Sequence, residues 1–308
     1  MTSVDLITGF LGAGKTTFIR KYAGFLKNSG QKFAVIENEF GAAGVDTAIL
    51  KGDGLFVEEL AGGCICCSLK VNFHDTLIAL AKSYDRVIVE PSGIFSPGDF
   101  FDIMNSPDVG QVCQIGCVIA VLDSAVLYNK MSAEDEIVLA GELFSCGHIV
   151  ISKTDSLPHG ERVAISERLS ELLSHHAPEA ASAAAGKIYK TPLPALSDGD
   201  FTVLKKSGYG HFTSDSLPTV DHTALFQSCT LYPRGLFQKG QLEQILNGIS
   251  GCGDISRVKG YVLGEKGGWF VNYTSRGVSV APSPLCEKPM LNIIGRRLNR
   301  KRIKELLA

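Results

Sequence analysis

Eight residues near the start of the chain have the types and spacing of a phosphate-binding loop. The run GFLGAGKT at Gly9–Thr16 matches the pattern G-x-x-x-x-G-K-[ST] at every position, and the apolar run Val4–Ile7 before it predicts a strand. Glycines let backbone N–H groups curl around a phosphate, and the helix expected to begin near Gly14 directs its positive end at the same anion. The pattern predicts a nucleoside triphosphate site contacted by Gly9, Gly12, Ala13, Gly14, Lys15, Thr16 and Thr17.

Two side chains of this loop have separate predicted tasks. Lys15, on a surface loop, should reach the β- and γ-phosphates with its ammonium group, and the Thr16 hydroxyl should ligate Mg²⁺. Lys15 and the loop amides would then stabilise the charge that develops on the leaving group during phosphoryl transfer to water. The expected reaction is therefore hydrolysis of a nucleoside triphosphate.

Three cysteines within four positions form a second chemical motif. Cys64, Cys66 and Cys67 occur in the run GGCICC, after an apolar stretch that predicts a strand. Thiolates in such a turn can converge on one soft or borderline cation. Three protein ligands leave the fourth coordination position of a tetrahedral ion open, which suits a site that releases its metal. Two other interpretations stay open, a redox-active thiol cluster and packing cysteines. The candidates for the fourth ligand are Glu37, Glu39, His74 and water.

A third motif is an apolar strand that ends in an acidic residue. The run RVIVE ends at Glu90, and Gly93 follows three positions later. This arrangement is typical of the Walker-B and switch-II region of P-loop NTPases, where the carboxylate lies near Mg²⁺ through a water and the glycine amide is available to the γ-phosphate. We therefore predict that Glu90 and Gly93, together with Lys15, form the catalytic set.

The run SKTD at Ser152–Asp155 is interpreted as the element that selects the base. A carboxylate at Asp155 can accept both the N1–H and the exocyclic N2–H₂ of guanine, a pattern that adenine does not offer. Lys153 would lay its aliphatic stem along the base. Ser152 stands where such loops usually have asparagine. The run predicts GTP rather than ATP as the bound nucleotide.

Length and composition limit the class of protein. A chain of 308 residues favours two domains, and a formal net charge of −2 argues against a general nucleic-acid-binding protein. No apolar run is long enough to span a membrane, and the first residues lead directly into a strand without a signal-peptide pattern. The expected location is the cytoplasm, where nine cysteines indicate metal or redox chemistry rather than disulfides.

Apolar runs and helical patterns alternate along the first two thirds of the chain. This order predicts an α/β fold with a doubly wound parallel sheet. The predicted strands are Val4–Thr8, Phe33–Glu37, Leu55–Leu60, Arg86–Glu90, Ile115–Leu122, His148–Ser152 and Lys187–Lys190. The predicted helices are Gly14–Lys27, Leu69–Ser83, Pro97–Met104, Ala133–Ser145 and Gly160–His175.

The composition changes after this alternating region. Ser, Gly, Asp, Lys and Pro dominate from Ala195 to His222, which predicts a linker. We therefore divide the chain into a P-loop domain at 1–195, a linker at 196–222 and a smaller α+β domain at 223–308. The smaller domain is expected to contain strands at Ala224–Leu231, Arg257–Leu263 and Gly268–Tyr273, and helices at Lys239–Asn247 and Arg296–Leu307.

Taken together, these motifs resemble the CobW family of GTPases, relatives of the GTPases that mature the nickel enzymes urease and hydrogenase. The run of cysteines beside a P-loop is the most specific element of the resemblance. The matching segments, which extend over nearly the whole chain, are Gly9–Thr17, Glu37–Gly41, Gly44–Asp46, Glu59–Leu60, Gly63–Cys67, Glu90–Gly93, Ser152–Asp155, Arg257–Gly260 and Ile293–Arg296.

The resemblance implies that GTP hydrolysis delivers or inserts a metal ion, zinc or cobalt, into a client metalloprotein or a metal-cofactor biosynthesis enzyme. The stretch Glu37–Asp46 would be switch I, with Glu37 near the thiolates and Glu39 near Mg²⁺. A nucleotide- or metal-dependent homodimer is a further expectation. Unlike many members, the chain has no histidine-rich segment between its domains, and Ala42 occupies a position that is often acidic.

Two other functions stay open at this stage. In one, GTP only sets the affinity of a metal-responsive binding protein for its partner, and no metal is transferred. In the other, the cysteines form a thiol redox centre, which would contain a disulfide with Cys66 and no metal after anaerobic purification.

Overall fold

The structure is a computed structural model that describes residues 1–37, 50–51, 53–59, 68–91, 97–127, 133–154, 164–165, 167–171, 186–210, 227–265, 267–274, 277–283 and 289–307. The chain divides into two compact units. The first contains a parallel six-stranded sheet with helices, and the second contains an antiparallel five-stranded sheet. The predicted fold class is confirmed. Among the described helices, none is both long and apolar enough to cross a lipid bilayer.

In the first unit, strands and helices alternate as the sequence predicts. The strands are β1 (Thr2–Thr8), β2 (Phe33–Glu37), β3 (Val57–Glu59), β4 (Arg86–Glu90), β5 (Cys113–Asp123) and β6 (His148–Ser152). The helices are α1 (Lys15–Asn28), α2 (Ser68–Ala81), α3 (Pro97–Met104), α4 (Val109–Val112), α5 (Ala133–Ser145) and α6 (Asp198–Leu204).

The strands of this unit lie in the order β3-β2-β4-β1-β5-β6, and all neighbours are parallel. Strand β1 is therefore central, and its two faces are both buried. Val4 and Leu6 belong to one hydrophobic cluster, and Ile7 belongs to the cluster on the opposite face. Because ligands bind beyond the carboxyl ends of parallel strands, this order places the loop after β1 at the expected edge.

A buried polar network links four elements of the first unit: β1, β4, β5 and α1. Asp5 of β1 is fully buried and accepts hydrogen bonds from Arg86 Nη1, at 2.5 Å to each carboxylate oxygen. Tyr22 of α1 donates to the same carboxylate at 2.8 Å, and the backbone N–H of Cys117 in β5 donates at 3.0 Å. The network ties α1 and β5 to the two central strands.

Within its described residues, the second unit contains one antiparallel sheet and two α-helices. Its strands are β7 (Gln227–Leu231), β8 (Asp254–Gly264), β9 (Gly267–Thr274), β10 (Gly277–Ser283) and β11 (Met290–Arg296), in the order β10-β9-β8-β11-β7. Helices α7 (Lys239–Asn247) and α8 (Arg300–Leu307) cover an apolar cluster that includes Val258, Val271 and Ile293.

Several expectations about strands and helices differ from the structure. Residues 187–190 form one isolated bridge from Ile188 to Ile149 rather than a strand, because the chain turns away at Pro192. The helix expected from Arg296 begins at Arg300, because residues up to Arg296 pair in β11. The sequence analysis missed β10 and β11.

Part of the predicted linker is a helix of the first unit. Helix α6 begins after a capping box formed by Ser197 and Asp200, a local signal for a helix start. Its Phe201 is buried, and the ring stacks on Tyr22 and Phe25 of α1 with centroids 5.6 and 5.8 Å apart. The polar composition of the segment concealed the two buried apolar residues of this helix, Phe201 and Leu204.

Candidate functional site

The phosphate-binding motif forms the turn between β1 and α1. Gly9, Gly12 and Gly14 have φ angles of 139°, 77° and 104°, which side chains with a Cβ rarely adopt. A Cβ on Gly9 would also lie 2.2 Å from the carbonyl oxygen of Val121 in β5. The motif therefore requires glycine at Gly9 for two independent reasons.

Helix α1 begins at Lys15, one residue after the position expected from the sequence. No side chain caps its first turn, and that turn contains no acidic residue. The backbone N–H groups at its start are therefore available to an anion, and the helix dipole favours negative charge there. Lys15 was expected on a surface loop, but it is buried, and its Nζ donates to the carbonyl oxygen of Gly9 at 2.7 Å.

Two predicted residues that are far apart in the sequence meet beside this loop. Thr16 Oγ1 donates to Glu90 Oε1 at 3.0 Å, and Glu90 is buried at the end of β4. Hydroxyl and carboxylate oxygens are the hard donors that Mg²⁺ prefers. Thr16 and Glu90 therefore suit a magnesium ion, whereas Thr17 is exposed on the first turn of α1.

Two residues at the end of β6 donate hydrogen bonds to carbonyl oxygens of the phosphate loop. Ser152 Oγ donates to the carbonyl oxygen of Ala13 at 2.5 Å and is buried. Lys153, in the left-handed region at φ 55°, donates through Nζ to the carbonyl oxygen of Gly12 at 2.6 Å and to Asp123 at 2.8 Å. The predicted base-specificity run is therefore bonded to the predicted phosphate loop.

The sequence analysis missed two acidic residues of this site. Asp123 ends β5 and pairs with Lys153, a position that the rule for carboxyl ends of parallel strands would have indicated. Glu142 of α5 is fully buried and accepts a hydrogen bond from Thr8 Oγ1 at 3.3 Å. The sequence could have indicated Glu142 because it is an ionisable residue among apolar residues of a predicted helix. Two of these neighbours, Leu139 and Leu143, are buried.

The predicted metal ligand Glu37 lies at the same sheet edge. It is buried at the end of β2, and its register partners are Glu59 at the end of β3 and Glu90 at the end of β4. The cysteine motif lies between the end of β3 at Glu59 and the start of α2 at Ser68. The strand order therefore places Glu37 between Glu59 and the Thr16–Glu90 pair at the carboxyl edge of the sheet.

Both ring nitrogens of His74 are hydrogen-bonded to carboxylates. Its Nε2 lies 2.7 Å from a carboxylate oxygen of Asp108, and its Nδ1 lies 2.9 Å from one of Asp75. These two carboxylates raise the pKa of His74. With both ring nitrogens hydrogen-bonded, His74 has no nitrogen left for a metal in this arrangement.

Six predicted site residues lie outside the described part of the chain. They are Glu39, Cys64, Cys66, Cys67, Gly93 and Asp155. Within the described ranges there is no group of three or more histidine, cysteine, aspartate or glutamate residues that could hold a metal ion.

Comparison with known proteins identifies a family and several relatives. Residues 3–180 match the family model described as CobW/HypB/UreG, nucleotide-binding domain. The zinc chaperone YeiR of Escherichia coli is 35% identical over 167 residues, which cover 53% of this chain and 50% of that protein. The zinc chaperone CobW of a Sinorhizobium species is 28% identical over 287 residues, covering 83% and 80% of the two chains.

A third relative is the zinc-regulated GTPase metalloprotein activator 1 of Saccharomyces cerevisiae. It is 29% identical over 198 residues, which cover 56% of this chain and 46% of the yeast protein. The chain therefore spans about half the length of YeiR and of the yeast relative.

Proposed function

Because the chain belongs to the CobW/HypB/UreG family, we propose that it is a metal-binding GTPase. It couples GTP hydrolysis to the delivery or insertion of a transition metal, zinc or cobalt, into a client protein or cofactor. The names of the relatives support zinc as the cargo, since two are zinc chaperones and the third is a zinc-regulated GTPase.

The observation that carries this proposal is the row of glutamates at the carboxyl ends of adjacent strands. Glu37 is the register partner of Glu59, after which the cysteine motif follows, and also of Glu90, which accepts a hydrogen bond from Thr16. In this proposal, a structural change around Glu90 is passed through β2 to Glu59, the residue that the cysteine motif follows in the sequence. This is the connection that a GTP-controlled metal site requires.

The proposed reaction is attack of water on the γ-phosphorus, which yields GDP and inorganic phosphate and releases a proton of the attacking water to solvent. The bond from the γ-phosphorus to the β–γ bridging oxygen breaks, and Lys15 with the amides of the Gly9–Lys15 loop stabilises the charge on the leaving oxygen. Magnesium, held by Thr16 and Glu39 with Glu90 nearby through water, would neutralise phosphate charge. Gly93 would contribute its amide to the γ-phosphate.

The proposed client is a metalloprotein or a metal-cofactor biosynthesis enzyme, and the proposed location is the cytoplasm. A homodimer that depends on nucleotide or metal is part of the same proposal. Neither nucleic acid nor a membrane is expected as a partner.

Asp155→Asn tests the choice of guanine. The substitution replaces one acceptor oxygen with a donor, so guanine loses its complement, while xanthine, with a carbonyl in place of the amino group, gains one. We expect GTP affinity to fall at least roughly tenfold, because the lost hydrogen bonds involve a charged acceptor. XTP affinity should rise. Fluorescence titration with both nucleotides measures the change.

Asp198→Asn is the matched control for this test, because Asp198 is exposed at the start of α6 and the charge change is the same. It should leave the GTP preference unaltered. Equal affinity of the unsubstituted protein for ATP and GTP would show that the SKTD run does not select the base.

Metal affinity that depends on the bound nucleotide is the central test of the proposed function. If switch I supplies Glu37 as a metal ligand or orders the cysteine motif only when a γ-phosphate and Mg²⁺ are bound, the GTP form should hold metal more tightly than the GDP form. Typical coupling energies of roughly 1–3 kcal/mol correspond to about 5- to 150-fold. The measurement is competition of Zn²⁺ or Co²⁺ against a chelator, with Mg²⁺–GDP and with a non-hydrolysable GTP analogue.

Linkage requires that metal tighten binding of the analogue by the same factor. Cys66→Ala should remove both effects and spare nucleotide binding, whereas Cys229→Ala, which alters a buried cysteine of β7, should retain them. Identical metal affinities in the GDP and analogue states would rule out GTP-driven delivery.

A further inference from the structure

Glu142 lies directly beneath the phosphate loop. Its carboxylate accepts hydrogen bonds from the Thr8 hydroxyl, at 3.3 Å to Oε1, and from the backbone N–H of Gly9. Gly9 in turn accepts a hydrogen bond from Lys15 Nζ through its carbonyl oxygen. The first residue of the loop is thus bonded on one side to a buried acid and on the other to the catalytic lysine.

The second oxygen of this carboxylate has no hydrogen-bond partner in the part of the chain that the structure describes. Oε2 of Glu142 is buried and is unpaired among the described residues, on a side chain with no exposed surface. An ionised carboxylate in such a place is costly unless a positive charge lies near. Lys15 is the charged group that favours the ionised form of Glu142.

We propose that Glu142 is a positioning residue for the phosphate loop, and that its carboxylate takes up a proton when a nucleotide engages Lys15. This inference rests on the proposed GTPase function and deepens it. The ionised carboxylate holds Thr8 and Gly9 in place and offsets the charge of Lys15 in the nucleotide-free loop.

The charges around Glu142 set the direction of the effect. Burial raises the pKa of Glu142 to about 7, while Lys15, the Thr8 hydroxyl and the Gly9 N–H oppose the rise. The Cys146 thiol, immediately after the same helix, is a second titratable neighbour; burial raises its pKa to about 12, so it stays neutral. Phosphate groups bring negative charge and engage Lys15, which must raise the pKa of Glu142 further.

Nucleotide affinity should therefore depend on pH. Above the pKa of the nucleotide-free state, Glu142 is ionised before binding and protonated after it, so binding consumes a proton and weakens as pH rises. One proton corresponds to at most about tenfold in affinity per pH unit. Below that pKa, Glu142 is already protonated, and its contribution to the slope disappears.

Glu142→Gln is the principal test, since the amide oxygen can still accept from Thr8 and Gly9 but the side chain cannot titrate. Affinity for a fluorescent non-hydrolysable GTP analogue with Mg²⁺ is measured from about pH 6 to pH 8.5, the range that brackets the transition. We expect the variant to lose the slope of the unsubstituted protein and to bind more tightly at the alkaline end. Calorimetry in buffers of different ionisation enthalpy should show that the unsubstituted protein takes up a proton when it binds the analogue and that Glu142→Gln does not.

Two further variants separate positioning from general structure. Glu136→Gln makes the same change at a partly exposed position of the same helix and should keep the slope. Glu142→Ala removes both hydrogen bonds to the loop and should weaken binding roughly tenfold or more at every pH. Thermal unfolding of each variant checks that the fold is retained.

Two results would overturn the inference: a Glu142→Gln variant with the pH slope of the unsubstituted protein, or a Glu142→Ala variant with unchanged affinity. Failure of the unsubstituted protein to bind the analogue is a different result, and it refutes the proposed GTPase function. The nucleotide's own protonation contributes equally to all variants and cancels in the comparison.

Discussion

Replacement of Lys15 by alanine is expected to reduce GTP turnover by roughly 10²- to 10³-fold, the loss that follows removal of one charge-stabilising donor from an active site. The Lys15 ammonium lies at the loop that is expected to hold the phosphates, and it donates to the carbonyl oxygen of Gly9. Without it, the leaving oxygen loses its nearest cation. Single-turnover hydrolysis of radiolabelled GTP measures the effect, and equilibrium titration measures the accompanying loss of affinity.

The matched control is Lys27→Ala, which removes the same charge from an exposed position at the other end of α1. It should hydrolyse GTP at the normal rate. Because Lys15→Ala also leaves the Glu142 carboxylate without its nearby cation, thermal unfolding must show that the variant is folded. Normal GTP turnover by folded Lys15→Ala would rule out the phosphate-loop assignment.

Replacement of Asp5 by alanine is expected to lower the free energy of unfolding of the first unit by about 3–5 kcal/mol. The substitution leaves the Arg86 guanidinium, whose side chain is 8% exposed, without the carboxylate that it contacts at 2.5 Å. It also removes the acceptor for the Tyr22 hydroxyl and the Cys117 N–H. An uncompensated buried charge costs more than the net contribution of the original pair.

The control for this prediction is the same substitution at an exposed ion pair. Asp53→Ala breaks the contact with Arg20, and the side chains of Asp53 and Arg20 are 36% and 51% exposed. The substitution should lower the free energy of unfolding by about 0–1 kcal/mol. Urea unfolding followed by circular dichroism measures both variants. Trp269, the only tryptophan, lies in β9, so its fluorescence reports the second unit separately. A loss below 1 kcal/mol for Asp5→Ala, the size expected of an exposed pair, would contradict the role of the network.

The contiguous motifs of the site could be predicted because their chemistry is local. The glycines of Gly9–Thr16 indicate a phosphate loop because one turn requires backbone angles that glycine adopts readily. The ends of β2, β4 and β6 could be predicted from short apolar runs. The same local rules misjudged other segments. Strand β11 runs into a basic stretch that predicts a helix, and the left-handed Arg297 at φ 52° ends the strand instead.

Helix α6 shows why composition alone was insufficient. Its segment is polar enough to predict a linker, yet Phe201 packs on Tyr22 and Phe25 of α1. Phe201 and Leu204 both belong to a buried hydrophobic cluster of the first unit. One buried aromatic side chain contributes more to docking a short helix than the average polarity of its neighbours. Such a contact has no signature in a sequence window.

The P-loop, the family resemblance and the order of strands and helices in the first unit could be inferred from the sequence, because each rests on residues that are close together in the chain. Three contacts of the site are visible only in the folded chain: Thr16 with Glu90, Ser152 with Ala13, and Glu142 with Gly9. These pairs are 74, 139 and 133 residues apart, and parallel strand pairing with close packing brings them together. Local periodicity predicts which residues a strand contains, but long-range burial decides which strand ends become neighbours.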